Sequence, residues 1–325
     1  MRYCQTDIDW EVIKECKTKD GQDIRKVILS NIQRNIPVGF NRHKVPQEWS
    51  GFNSFPEIDI ILEEIDNAQY QLGTLGSGNH FIELQKNQDG KLAIMIHSGS
   101  RNFGKKICDR YNAIAKQMNE KWYSSVPSDY GLAFLPTDDD MGREYLSAMN
   151  FALEFAHENR RLMMERSKNV VLNMLEKYCN IVGVKFLVDA DVHHNYASLE
   201  NHYGKNVVVH RKGATRAVIN KLGIIPGSMG SSSYIVRGRN NPDSFHSCSH
   251  GAGRAMGRKE AKRQFTAQQV TEFMKTSDIV ILKSKKDDIA EECSWAYKDV
   301  DNVMLQQDDL VEIEDKLTPI GVLKG

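Results

Sequence analysis

The sequence predicts an α+β fold in which mixed and antiparallel sheets are interrupted by inserted helices. Three features lead to that class. Strand-like stretches come in groups, HFIEL with KLAIMIH and later VKFLVDADVHHNYA, NVVVHRKGA and SSSYIVRG, without the regular alternation of a βαβ chain. Amphipathic helical stretches lie between these groups. Glycine punctuation leads into the strands, and NQDG at 87–90 reads as a hairpin turn. The 325 residues suffice for a large core, and no persuasive boundary divides them, so a single domain over 1–325 is expected.

In chain order, a strand or turn is expected around residues 2–8. A helix follows over 23–35, where Ile24, Val27, Ile28 and Ile32 recur at helical spacing. A loop carrying Pro37, Gly39, Pro46, Gly51 and Pro56 leads to a second amphipathic helix over 57–69. GTLGSGNHFIEL (73–84) enters a strand, and the hairpin returns as KLAIMIHSGSRNFG. A helix over 103–120 precedes a linker with two prolines and an acidic run, read as an excursion from the domain. Residues 143–178 form a long helical stretch with Leu146, Met149, Phe151, Leu153 and Phe155 as candidate core positions. Its length fits two helices or a bent one, and its methionines read as packing. Strands dominate after Gly183. A glycine turn and a basic helix follow, then a helix over 266–275 and a tail carrying EECSWAYKDVDNVM and ending IGVLKG.

Lys plus Arg equals Asp plus Glu, 43 each, so any polyanion site must come from local clustering and not from a global field. The six cysteines are scattered without a CxxC pair, which argues against a disulfide framework or a thiolate zinc site and fits a reducing cytoplasm. The polar, acidic start is unlike a signal peptide, and no apolar run approaches the ~20 residues of a membrane helix. A cytoplasmic globular protein is expected.

The chemistry is concentrated in five stretches that set histidines among small or cationic residues. They are GSGNH (Asn79, His80, followed by Glu83), HSGSR (His97, Arg101), DADVHHN (His193, His194, Asn195), HRKGATR (His210, Lys212) and SCSHGAGRAMGR (His250, Arg254, Arg258). Each lies at an expected strand end or turn, where side chains from distant segments converge. A single such histidine is more often structural; five similar settings favour a shared site. Imidazoles with carboxylates suit Zn, Mn or Fe without selecting one. Guanidinium groups beside them suit phosphate. The spacing after His250 puts Arg254, Arg258, Lys259, Lys262 and Arg263 mostly along one side of a helix whose free amides would attract an anion. A glycine turn followed by a solvated basic helix is the plain alternative. PGSMGSSSYIV (226–236) adds a Gly/Ser loop of backbone and hydroxyl donors, without the GK[ST] of a Walker loop. No GxSxG elbow is present. Together these residues point to metal-assisted phosphoryl or nucleotidyl transfer.

In this order, GTLGSGNHFIEL, HSGSRNFG, HHN, RKGAT, GIIPGSMGSSSYIVRG, SCSHGAGRAMGR, AYKD and a closing VLKG closely resemble the RtcB family of RNA ligases, over nearly the whole chain. The resemblance implies that family's complex architecture, with the site in a cleft between sheets. It implies joining of RNA 3′-phosphate or 2′,3′-cyclic phosphate ends to 5′-hydroxyl ends, as in tRNA splicing or RNA repair, with GTP as cosubstrate and two Mn2+ ions. On it, His250 is the nucleophile that becomes guanylylated, and His80, His97 and His194 are metal ligands. Asn79, Glu83, Asn195, the loop of Pro226, Gly227, Ser228 and Met229, Ser233, the turn of Gly251, Ala252 and Gly253, Tyr297 and Lys324 match positions that hold the guanine nucleotide. Arg101, Lys212, Arg254 and Arg258 match cations that hold RNA phosphates. His193, His210 and His246 are read as structural, and His43, His157 and His202 as surface residues.

One departure accompanies the match. Family members carry an upstream run like Asp-Ile-Gly-Cys-Gly-Met whose Asp and Cys complete the two-metal site, and Met1 falls on the Met closing that run. An N-terminally truncated form is therefore expected, with neither Cys4 nor Asp7 in the right motif context. The readings left open are a truncated gene model or internal start, a weakened or metal-deficient paralogue acting as an RNA- or nucleotide-binding module, and a ligase completed by another chain. A metal-dependent phosphodiesterase on a similar site is a further alternative.

Overall fold

The structure is a computed structural model that describes residues 1–283 and 289–325. In chain order its strands and helices are β1 (Arg2–Asp9), α1 (Trp10–Ile13), α2 (Ile24–Asn35), α3 (Asp59–Gln71), β2 (Phe81–Lys86), β3 (Lys91–His97), α4 (Arg101–Lys121), α5 (Asp140–Cys179) and β4 (Phe186–Asp191). There follow β5 (Asn195–His202), β6 (Lys205–Lys212), β7 (Ala214–Arg216), β8 (Leu222–Ile225), β9 (Ser233–Gly238), β10 (Ser247–Ser249), α6 (Arg258–Gln264), α7 (Ala267–Thr276), β11 (Val280–Lys283), α8 (Val300–Leu305) and β12 (Val311–Lys324). The α+β class holds. The helical stretch expected over 143–178 is one unbroken run, α5. No helix among the described residues is long and apolar enough to cross a membrane.

Two compact units divide the chain: Met1–Asn41 with Leu75–Ser98 and Arg160–Gly325, and Arg42–Thr74 with Gly99–Asn159. The first is built on a sheet of order β4-β1-β3-β2-β12-β9-β8, antiparallel throughout, with β11 added parallel to β12. Gly90, at φ 77°, closes the β2–β3 hairpin at the expected NQDG turn. Strand periodicity then sorts the side chains. Ile82, Leu84, Leu92, Ile94 and Ile96 share one core cluster with Ile28, Leu29 and Ile32 of α2 and Met163, Val171 and Leu175 of α5. Each such side chain contributes roughly 1.5–3 kcal/mol by leaving water. Phe81, Ala93 and Met95, one residue out of step, belong to a second cluster with Met229, Ile235, Val270 and Met274. The polar residues sharing that second phase, Glu83 and His97, are thereby held on the other side of the sheet.

The second unit contains α3, α4 and the start of α5. Phe103, Ile107, Tyr111 and Ala115 recur every fourth residue on α4 and are buried. Phe103 meets Phe151 and Phe155, and Trp49 stacks on Phe151 with centroids 5.4 Å apart.

Candidate functional site

Register across three strands lays the floor of a pocket in the first unit. Lys324 of β12 pairs with Phe81 of β2, which pairs with His97 of β3; the next row is Val322, Glu83 and Met95. Lys324, Phe81, His97, Val322 and Glu83 all line one cavity of about 190 Å³. Its walls are two loops, 226–229 and 250–254, and its far rim includes Arg258, Glu292 and Tyr297. In the first loop Gly227 N–H donates to Ser233 Oγ at 3.1 Å and Ser228 N–H to Ser231 Oγ at 2.7 Å. A Cβ on Gly227 would lie 2.1 Å from the Ser232 carbonyl oxygen, so only glycine fits this bend. Gln85 bridges the floor to the loop, donating to Glu83 and, at 3.2 Å, to Ser233 Oγ.

The second wall is set by short-strand pairing. β10 runs beside β7, with Ser249 opposite Ala214, so His250 emerges next to Gly213. The Gly213 carbonyl accepts a hydrogen bond from the His250 backbone N–H at 3.3 Å. Gly213 N–H in turn donates to the His194 carbonyl at 3.1 Å. The rings of His194 and His250 stack at 4.3 Å between centroids, and His97 meets both edge-on. A nitrogen from each of His97, His194 and His250 lies within 4.8 Å of the others. His80 is nearby, with its ring centroid 5.8 Å from that of His97.

Burial, reinforced by the neighbouring imidazoles, holds His97 neutral, its pKa well below the ordinary value. The same burial pushes His194 down to about 2 and lowers His250, although the backbone of Gly213 works the other way. Three neutral imidazoles present lone pairs, and the buried Nδ1 of His194 has no hydrogen-bond partner among the described residues. That donor set fits a divalent transition metal, without selecting among them. The cluster includes no carboxylate among the described residues, so it supplies nothing to balance the charge of an ion. Arg160 ties together segments close to two of these histidines: it forms a buried bidentate pair with Asp191 at 2.6 Å and donates to the Ser98 carbonyl.

At the opposite end burial pushes the Glu83 carboxyl up to about 8 and the Lys324 amine down to about 8. Glu292, also buried, is held below the ordinary carboxyl range; burial opposes this, but Lys324, Tyr297 and Arg258 outweigh it. Burial, then Glu292, raises the Tyr297 phenol.

The expected nucleotide positions Asn79, Glu83, Pro226, Gly227, Ser228, Met229, Gly251, Ala252, Gly253, Tyr297 and Lys324 all line this one cavity, with His97, His250, Arg254 and Arg258. Ser233 stands behind the loop that it fastens. Asn195 and Lys212 are exposed cross-strand partners at the end of the β5–β6 hairpin that adjoins His194 and Gly213. Arg101 belongs to the second unit, where its Nε donates to Thr74 Oγ1 at 2.9 Å. Two expectations need correction. The basic helix begins at Arg258, not Arg254, and has seven residues. Gly253, at φ 74°, turns the chain, and Arg254 forms a bridge with Tyr297, so the basic helix does not start directly after the His250 turn. His202 is not a surface residue: it is 5% exposed, with Nε2 2.9 Å from Glu200, which pairs with buried Arg211. Glu292 and Phe81 were missed, because nothing in the local sequence sets Glu292 apart from Glu291, and Phe81 reads as ordinary strand.

The family model described as tRNA-splicing ligase RtcB matches residues 1–325. The chain belongs to the RtcB family. RNA-splicing ligase RtcB of Escherichia coli (strain K12) is 38% identical over 259 residues, covering 80% of this chain and 62% of that protein. tRNA-splicing ligase RtcB of Pyrobaculum aerophilum is 35% identical over 296 residues, covering 78% of this chain and 60% of the relative. That of Aeropyrum pernix is 34% identical over 341 residues, covering 94% and 70%. The chain thus spans about three-fifths of the length of the first two RtcB relatives.

Proposed function

We propose that this chain takes part in RNA ligation, joining a 3′-phosphate or 2′,3′-cyclic phosphate end to a 5′-hydroxyl end through a guanylylated His250. The observation that carries this reading is the position of His250, which borders both the cation-lined pocket and the three-imidazole cluster. The names of the RtcB relatives, RNA- and tRNA-splicing ligases, support the same reaction class.

In this reading the lone-pair nitrogen of His250 attacks the α-phosphorus of GTP. A P–N bond forms while the P–O bond to pyrophosphate breaks. An oxygen of the RNA 3′-phosphate then attacks the same phosphorus and displaces the imidazole, leaving a 3′-pp-5′-guanosine end. The 5′-hydroxyl oxygen attacks the RNA phosphorus, gives up its proton, and GMP leaves. A cyclic phosphate enters after water opens it to the 3′-phosphate. Covalent relay divides one difficult activation into smaller steps. Asn79, Glu83, the 226–229 loop, Tyr297 and Lys324 would hold the nucleotide; Arg254, Arg258, Lys212 and Arg101 would meet RNA phosphates. His97 and His194, with His80 beside them, would hold Mn2+, which supplies charge neutralisation for phosphate groups.

Incubation with α-labelled GTP and Mn2+ tests the reading. A covalent label on the wild-type chain that is absent from His250→Ala supports it. RNA binding without label would replace it with a binding module, and opening of cyclic phosphates without label with a phosphodiesterase.

A further inference from the structure

Glu292 is the least exposed ionised group on the rim, with 2% of its side chain accessible, and both of its oxygens are engaged. Oε1 accepts from Arg258 Nε at 3.1 Å and from Arg254 Nη1 at 3.4 Å. Oε2 accepts from the Tyr297 hydroxyl and lies 3.9 Å from Lys324 Nζ. Arg254 is further fixed by the carbonyls of Glu291 and Met256 and lies over the Tyr297 ring at 4.9 Å. One carboxylate therefore organises three cations and a phenol, all lining the same cavity as His250.

We propose that Glu292 is an internal counter-anion: it positions Arg254, Arg258, Tyr297 and Lys324 and competes with incoming phosphate groups for the three cations. This rests on the proposed reading of the cavity, in which Tyr297 and Lys324 hold the nucleotide and Arg254 and Arg258 meet RNA phosphates. A buried carboxylate shared by several cations fixes their geometry, because each charge would otherwise be left unpaired away from water. The same negative charge opposes a polyphosphate arriving at those cations, at distances where one unit charge outweighs thermal energy. Glu292 thus trades ground-state anion affinity for alignment: of the nucleotide at His250 through Tyr297 and Lys324, and of RNA phosphates through Arg254 and Arg258. It is a positioning residue, acting through its four partners.

The two effects have opposite signs, which separates this role from a merely structural one. Glu292→Gln keeps the shape and an acceptor for Tyr297 but removes the charge. Titration calorimetry of the full chain with inorganic tripolyphosphate is expected to show affinity raised about tenfold in Glu292→Gln, the scale of one nearby unit charge. The rate of His250 guanylylation at saturating GTP is expected to fall by about the same factor, as misalignment lowers reactivity. Glu292→Asp, which keeps the charge but withdraws it by one methylene, should fall between, with tripolyphosphate affinity above wild type. Equal or weaker tripolyphosphate binding by a folded Glu292→Gln overturns the proposal; should that variant not fold, Glu292→Asp decides by the same criterion. Raised tripolyphosphate affinity in a chain that never becomes guanylylated would sink the ligase reading and leave the counter-anion standing. A guanylylated chain whose Glu292→Gln variant gains no affinity would sink the counter-anion alone.

Discussion

The imidazoles of His194 and His250 stack with their centroids 4.3 Å apart and their planes 16° from parallel. Gly213 ties the two segments together, donating to the carbonyl of His194 and accepting from the N–H of His250. It does so at φ 69°, a conformation that disfavours any residue with a Cβ by about 1–2 kcal/mol. Gly213→Ala is therefore expected to shift the two rings with only a modest loss of stability. Guanylylation should slow by at least about tenfold, since displacements on the order of 1 Å have such effects. An unchanged rate, with thermal unfolding as a control, would show that this link does not set the site.

The three-imidazole cluster makes a binding prediction independent of activity. His97→Ala and His194→Ala should each weaken Mn2+ binding on the order of tenfold or more, measured by calorimetry, since each removes a direct donor. Binding by the wild-type chain should itself be modest, because neutral imidazoles leave the ion's charge unbalanced. Wild-type affinity in both variants would place the ion elsewhere.

Away from the pocket, Arg211 is 1% exposed and carries a bidentate pair to Glu200, whose other contacts are Ser198 and His202. Arg211→Met leaves that carboxylate buried without its counter-charge. The expected loss is about 3–5 kcal/mol, read as a lower urea midpoint. A change under about 0.5 kcal/mol would show that the site relaxes around the lost charge.

The same pair sets an acid limb. Burial works to raise the Glu200 carboxyl, but Arg211, Ser198 and His202 hold it far below its ordinary value of 4.5. A carboxyl held low in the folded chain binds its proton more weakly than in the unfolded chain. Its stabilisation is complete above pH 4.5 and is lost as pH falls below it. Urea midpoints should decline below that pH, and Arg211→Met should flatten the decline. Parallel declines in the two proteins would remove Glu200 as its source.

What was legible in the sequence follows from how local each signal is. The helices of residues 24–35, 59–71 and 101–121 and the β2–β3 hairpin could be read from periodicity and turn residues, because neighbours in sequence decide them. His97, His250 and the 226–229 loop stand out in glycine-flanked motifs, since close approach needs small residues near a reactive side chain, whereas Tyr297 and Lys324 enter only through the resemblance to the RtcB family. Glu292, His202 and Arg160 could not, because their roles depend on partners far along the chain. Glu292 meets Lys324 only through the last strand, and Arg160 meets Asp191 across the end of β4. The start of the basic helix was misplaced because Arg254 prefers its bridge to Tyr297, a contact over more than forty residues.

The most direct measurement is intact and peptide-level mass spectrometry of the chain after incubation with GTP and Mn2+. The expected result is a mass increase of one guanylate, acid-labile as a phosphoramidate, mapped to the peptide containing His250 and absent from His250→Ala. A guanylate on another residue, or none on a chain shown to bind both GTP and Mn2+, would contradict it.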